Sequence, residues 1–273
     1  MNTIKSQDYI LQWVENRQSK GSYFFSFDEL LTQFPSISPR AIILAVNRLK
    51  KRNKISSVHK GYYVVVPPEY ASRGILPPTM YIDSLMVSLQ KKYYVGLLNA
   101  AALYGAAHQQ PQEFYVCTVP PAHRQSTKKG TRINFFTKQQ IPDFLLVDTK
   151  ARTGYFKVSS PELTAADLIQ FEKRIGGLNR ATTVLNELVE EMHQEKFTKG
   201  FVQSIPTSTL QRLGFILDDI LHQSAHADAL YTQASSVGCR FFRIPLKQGV
   251  ASTGFHSSNR WNVVSNLVIE YDE

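Results

Sequence analysis

The sequence is poor in cysteine, has no long apolar run and carries no complete catalytic motif. Each absence removes a class of protein. Only two cysteines, Cys117 and Cys239, occur in 273 residues. They lie far apart between apolar neighbours and read as two buried small hydrophobes in a reducing cytosol, not as a disulfide framework. No stretch approaches the roughly 20 apolar residues of a membrane span. The first apolar segment, Tyr9 to Val14, is broken by Gln12 and followed by Glu15, unlike a signal peptide. A soluble cytoplasmic protein with no membrane partner is expected.

Catalytic signatures are equally thin. Pro142-Asp143 followed by Asp148-Thr149-Lys150 resembles a nuclease metal site only loosely, because the two acids stand too close in sequence to reach across a strand pair. They read as surface loop acids. His222 and His226 have the spacing of a zinc pair on a helix, but Gln223 stands where a general-base Glu is needed. There is no phosphate loop, no G-x-G-x-x-G and no Ser or Cys nucleophile motif, and Gly176-Gly177 reads as a turn. No enzyme activity, metal or cofactor is expected.

One further absence is local: no Asp or Glu occurs from Leu30 to Pro68. The whole chain carries 31 Lys and Arg against 22 Asp and Glu, a net charge of +9. Residues 1–70 hold ten basic and five acidic side chains, and residues 84–160 hold ten and three. Residues 161–273 reverse the balance, with ten basic and thirteen acidic. The positive charge is thus concentrated in the first 160 residues, which suits a polyanionic partner on one side of the protein.

Caps place three N-terminal helices. Ile4, Ile10, Leu11 and Val14 recur at helical spacing, with Gly21 closing that region. Ser26-Phe27-Asp28-Glu29 is a capping box that opens a second helix ending at Pro35. Ser38 as N-cap and Pro39 at the first position open a third, running to about Asn53. At about 100° per residue, Ile42, Val46 and Leu49 fall on one side of it. Arg40, Asn47, Lys51 and Lys54 fall on the other, with Arg48 at the border. An apolar back and a basic, amide-bearing front are what a major-groove recognition helix needs, since Arg pairs with guanine and Asn with adenine while Lys neutralises phosphates. A merely solvated face usually mixes charge signs. Ile55–Val58 and Tyr62–Val66 flank His59-Lys60-Gly61 as a hairpin, the wing of a winged helix-turn-helix. The expected contacts to double-stranded DNA are Ser38, Arg40, Asn47, Arg48, Lys51, Lys54, His59 and Lys60.

Residues 1–72 are therefore predicted as a winged helix-turn-helix DNA-binding domain, and 77–273 as a mixed α/β (α+β) domain, with 72–78 as a linker. Strands are expected at Phe114–Val119, Ile133–Phe136, Phe144–Val147, Gly154–Val158, Arg240–Ile244 and Leu267–Glu270. Helices are expected at Ile82–Lys91, Tyr94–Gly105, Thr164–Phe171, Arg180–Met192, from Pro206 through Leu217, and at Ala227–Ala234. The stretch His123 to Arg132 reads as a basic loop. Its Arg124, Lys128, Lys129 and Arg132 form a second DNA contact or simply a solvated charge run, and the residues leave both readings open.

Several segments together resemble the AbiEi-type antitoxins of type IV toxin–antitoxin, or abortive infection, systems. The resemblance rests on Gly61-Tyr62-Tyr63-Val64-Val65-Val66-Pro67 and on Tyr94-Val95-Gly96-Leu97-Leu98-Asn99-Ala100-Ala101 with Tyr104-Gly105. It rests also on Ser159-Ser160-Pro161-Glu162-Leu163-Thr164-Ala165-Ala166-Asp167-Leu168 and on Gln211-Arg212-Leu213-Gly214-Phe215-Ile216-Leu217. Many members carry Arg where this chain has Leu163. The resemblance implies an antitoxin that represses its own operon through the winged helix. It also implies a functionally paired nucleotidyltransferase-like toxin, countered through the C-terminal domain without a necessary stable complex. The residues alone leave a regulator whose second domain senses a ligand or serves another partner, and a DNA-processing enzyme, as rivals.

Overall fold

A computed structural model of the chain describes residues 6–107, 111–121 and 123–271. Near the N-terminus the capping signals fall where the helices begin. Ile4 lies outside the described residues, but α1 (Ser6–Ser19) buries Ile10 and Val14. A short strand, β1 (Phe24–Ser26), leads into α2 (Phe27–Gln33). Ser26 accepts from the Glu29 amide and the Glu29 carboxylate accepts from the Ser26 amide, so the box forms as read. Helix α3 (Pro39–Lys51) starts with the Ser38 hydroxyl accepting from the Ala41 amide at 3.3 Å. It ends two residues before Asn53, which takes a left-handed φ of 53°. The Lys54 amide reaches back to the Leu49 carbonyl and the Asn53 amide to that of Lys50, a Schellman ending.

Strands β2 (Ile55–His59) and β3 (Tyr62–Val65) form the expected antiparallel hairpin. β1 adds to the other edge of β3, pairing Phe24 with Val64 and Ser26 with Tyr62, so the sheet has three strands. The helices and sheet share one core, in which Ile10, Val14, Phe25, Leu30, Ile42, Val46, Leu49, Ile55 and Val65 are buried. Arg17 ties α1 to its neighbours: it bonds Glu29 at 2.5 Å and the Phe24 carbonyl at 2.6 Å, over the Trp13 ring.

The rest of the chain alternates short strands and helices. They are α4 (Ile82–Ser88), β4 (Tyr93–Val95), α5 (Leu97–Leu103), β5 (Glu113–Thr118), β6 (Ser126–Lys128), β7 (Thr131–Thr137), β8 (Leu146–Ala151) and β9 (Gly154–Ser159). Six strands form a mixed sheet in the order β6-β7-β5-β4-β9-β8, with β5 parallel to β7 and β6 antiparallel to it. Six helices follow: α6 (Pro161–Gln170), α7 (Glu172–Ile175), α8 (Leu178–Leu188), α9 (Lys199–Ser204), α10 (Thr207–Phe215) and α11 (Ser224–Ser236). A final parallel pair, β10 (Ile244–Pro245) and β11 (Val263–Val264), completes the order.

Several expectations shift. The helix expected over Tyr94–Gly105 begins as β4, because Val95 pairs with Val158, and turns helical only after Gly96. Phe144 lies in a 3-10 turn (Asp143–Leu145) that precedes β8. Arg240–Ile244 yields only the two-residue β10, and Leu267–Glu270 is not a strand; Val268 there is exposed. The basic stretch His123 to Arg132 is a loop only up to Gln125; from Ser126 it forms the β6–β7 hairpin. Cys117 is buried as expected, whereas Cys239 is only half-buried, and both are free thiols.

The chain divides into two compact units. Unit 1 comprises residues 1–94, 112–139 and 148–157; unit 2 comprises 95–111, 140–147 and 158–273. Residues 1–72 thus share a unit with α4 and the β6–β7 hairpin, which the sequence places in the second domain.

Candidate nucleic-acid interface

Helix α3 has two sharply different sides. Ile42, Ala45, Val46 and Leu49 are buried, whereas Arg40, Asn47, Arg48 and Lys51 are exposed. Arg40, Asn47 and Lys51 lie on one stripe at steps of seven and four residues, the spacing that stacks side chains along a helix. The sequence reading of this front overlooked Ile43 and Leu44, which are 47% and 50% exposed among those polar groups. Their angular positions were readable, but a search for charged and amide groups passes over them.

Lys54 does not belong to that helical face, because α3 ends at Lys51 and the chain turns at Asn53. Its ammonium lies 3.9 Å from the Glu15 carboxylate, with both side chains half exposed. Ser38 is exposed and acts as the helix cap.

The β2–β3 turn presents Lys60 to solvent, followed by Gly61 at a φ of 78°. His59 is half-buried, 5.8 Å from the Tyr62 ring and 6.3 Å from that of His123. Burial, then the charges of Lys91 and His59, lower the pKa of His123, so its ring stays neutral near pH 7.

The β6–β7 hairpin lies beside this sheet within unit 1. Ser126 donates to the Val58 carbonyl at 3.5 Å, so edge strand β6 borders edge strand β2. The hairpin turns on Lys129 and Gly130, both with positive φ, which matches the twist of a two-residue hairpin. The Lys129 stem crosses Gly74, and its ammonium donates to Asn53 Oδ1 at 2.6 Å. The same Asn53 that ends α3 thereby anchors the hairpin tip. Arg132 bonds Glu113 at 2.5 Å across the β5–β7 pair. Burial opposes ionisation of Glu113, but bonds from Tyr115, Arg132 and Asn134 hold its pKa below the usual value. The four cations of this stretch therefore differ: Lys129 and Arg132 have partners within the fold, Lys128 is exposed on the hairpin, and Arg124 is exposed in the segment that leads into β6.

The motif segments in unit 2 are organised differently. Ser160 caps α6, Pro161 takes its first position, and eight of ten helix residues are buried. Glu162 accepts from the His193 amide at 3.0 Å, and Thr164 bonds the Ser159 hydroxyl at 2.7 Å. The Tyr104 hydroxyl donates to the Ser159 carbonyl at 2.7 Å. On α10, Gln211 donates to the carbonyls of Phe242 and Trp261 at 2.7 and 2.6 Å, and Arg212 to that of Pro245 at 3.2 Å. A Cβ on Gly214 would overlap the fully buried Trp261 ring. These side chains hold helices and the C-terminal segment together.

Residues 94–219 match the family model of the AbiEi antitoxin C-terminal domain. The match contains the β4–α5 segment, the α6 block and the α10 block. The chain is also similar in fold to the crystal structure of RV2827C protein from Mycobacterium tuberculosis, with a TM-score of 0.66 and 16% identity over 92% of this chain and 89% of that one. No curated protein matches the chain.

Among the described residues no group of three or more His, Cys, Asp or Glu side chains is placed to hold a metal. His222 sits in a left-handed turn before α11 and not on the helix with His226, whose Nε2 lies 3.2 Å from the Met192 carbonyl. Asp148 pairs with Lys157 at 2.8 Å. Among the described residues no helix is long and apolar enough to cross a membrane.

Proposed function

We propose that the protein is a DNA-binding transcriptional repressor and the antitoxin of a type IV toxin–antitoxin pair, acting in the cytoplasm. In this reading residues 1–72 are a winged helix-turn-helix, with α3 as recognition helix and β2–β3 as wing, and 77–273 form the antitoxin domain. One observation carries the DNA reading: α3 exposes Arg40, Asn47 and Lys51 on a single stripe, opposite a buried apolar back, in a stretch with no acidic residue from Leu30 to Pro68. Arg40 and Asn47 read base edges, while Arg48, Lys51, Lys54, His59 and Lys60 meet the phosphates, with Ser38 at the helix start. Lys128 on the neighbouring hairpin and Arg124 just before it extend the phosphate contact. Lys129 and Arg132 contribute less, because Asn53 and Glu113 hold them.

The toxin reading rests on the AbiEi match over residues 94–219. In it, the acidic C-terminal part counters a nucleotidyltransferase-like toxin encoded beside this gene.

A gel-shift series with the DNA upstream of the gene, repeated over a range of salt, tests the first half. Binding should weaken linearly in log K against log salt, by about 0.9 per neutralised phosphate. Arg124→Ala and Lys128→Ala should each shallow that slope by about 1, and Lys129→Ala and Arg132→Ala by less. Failure to shift any duplex at low salt would remove the DNA reading. Co-expression with the adjacent gene tests the second half, since growth must be rescued by the full chain and not by residues 1–72 alone.

A further inference from the structure

An exposed leucine in the middle of a cationic stripe is out of place on a face meant only for water and phosphates. Leu44 lies four residues after Arg40 and three before Asn47, so it stands between them on the same side of α3. Ile43 lies beside it, one turn from both. The two are 47% and 50% exposed, although the core beneath α3 takes Ile42, Ala45, Val46 and Leu49. The pair is therefore not left over from core packing; it faces whatever Arg40 and Asn47 face.

We infer that Leu44 and Ile43 bind the 5-methyl groups of thymines in the major groove and so help set which sequence the protein prefers. This rests on the assignment of α3 as a DNA-reading helix. The flanking Arg40, Arg48 and Lys51, with no acid nearby in sequence, favour a polyanion over a second copy of this basic region. Among the base edges a major groove presents, the apolar group is the thymine methyl, and aliphatic side chains meet it by exclusion of water. Arg40 and Asn47 would then specify a guanine and an adenine, with Leu44 selecting a thymine between or opposite them.

The test uses the full chain and the upstream duplex amplified with dUTP in place of dTTP. That exchange deletes each major-groove methyl and keeps the hydrogen-bonding edges. The wild-type protein should bind the uracil duplex more weakly by roughly fourfold for each methyl it buries. The Ile43→Ala, Leu44→Ala double variant should bind the thymine duplex as weakly as wild type binds the uracil one, and should show no further loss on uracil. Both side chains are exposed, so the variant should keep the wild-type unfolding midpoint. Equal wild-type affinity for the two duplexes overturns the inference while leaving DNA binding intact. So does an equal uracil penalty in wild type and variant, which would place the effect in the DNA itself. A concentration-dependent dimer lost in the variant, with no methyl effect, would assign the pair to a second copy instead. Absence of binding to either duplex removes this inference and the DNA reading together.

Discussion

Helices α3 and α6 begin alike, each with a serine cap followed by proline, yet they put their polar residues to opposite use. α3 buries four of thirteen residues and turns Arg40, Asn47 and Lys51 outward. α6 buries eight of ten, among them Glu162, Thr164 and Asp167. A polar residue in a one-sided helix is available to a partner. One in a helix enclosed on all sides must find its bonds inside the protein, because leaving it unpaired costs about 1–3 kcal/mol. The polar residues of α6 are therefore enclosed within the protein, whereas Arg40, Asn47 and Lys51 of α3 stay exposed.

That contrast predicts a double dissociation. The largest effect belongs to Gly214→Ala, whose methyl collides with the buried Trp261 ring; it should destabilise the protein by about 3 kcal/mol in urea unfolding. Glu162→Ala comes next, at about 2 kcal/mol, since it strands the His193 amide. Neither should change the DNA affinity of the folded fraction, and a specific loss there would erase the distinction. On the other side, Arg40→Ala or Asn47→Ala should cost about 1–3 kcal/mol on the cognate site and relax its sequence preference, with unfolding midpoints unchanged. Lys51→Ala or Lys60→Ala should weaken all duplexes similarly; equal losses on every sequence for all four variants would refute the division between base and phosphate contacts.

The smallest effect is set by pH. The folded-state pKa of His123 is lowered from 6.5 by burial and by Lys91 and His59. The unfolded chain therefore binds that proton more readily, and stability is complete above about pH 6.5 and declines as pH falls toward the lowered value. Its Nε2 also has no hydrogen-bond partner among the described residues. Comparing urea midpoints at about pH 7.5 and about pH 5.5, His123→Gln should lose less stability on acidification than wild type.

Legibility followed the range of the interactions. The Ser26–Glu29 box, the Ser38-Pro39 start and the two-sidedness of α3 depend on residues within a turn or two of one another, and each was readable. Strand β1 was not, because its three residues become a strand only by pairing with β3. The β6 strand, Ser126–Lys128, has a polar sequence and exists through its pairing with β7. Leu267–Glu270 shows the converse, an apolar run without a neighbouring strand to complete it.

The amino-acid sequence alone decided where the first helices start, which side of α3 is oily, and that its other side is cationic and free of carboxylates. Tertiary structure decided that α6 is enclosed, that Lys129 and Arg132 are held by Asn53 and Glu113, and that the basic hairpin borders β2. The reason is distance along the chain: caps and helical faces are settled by neighbours, whereas burial and ion pairing depend on residues dozens of positions away that only folding brings together.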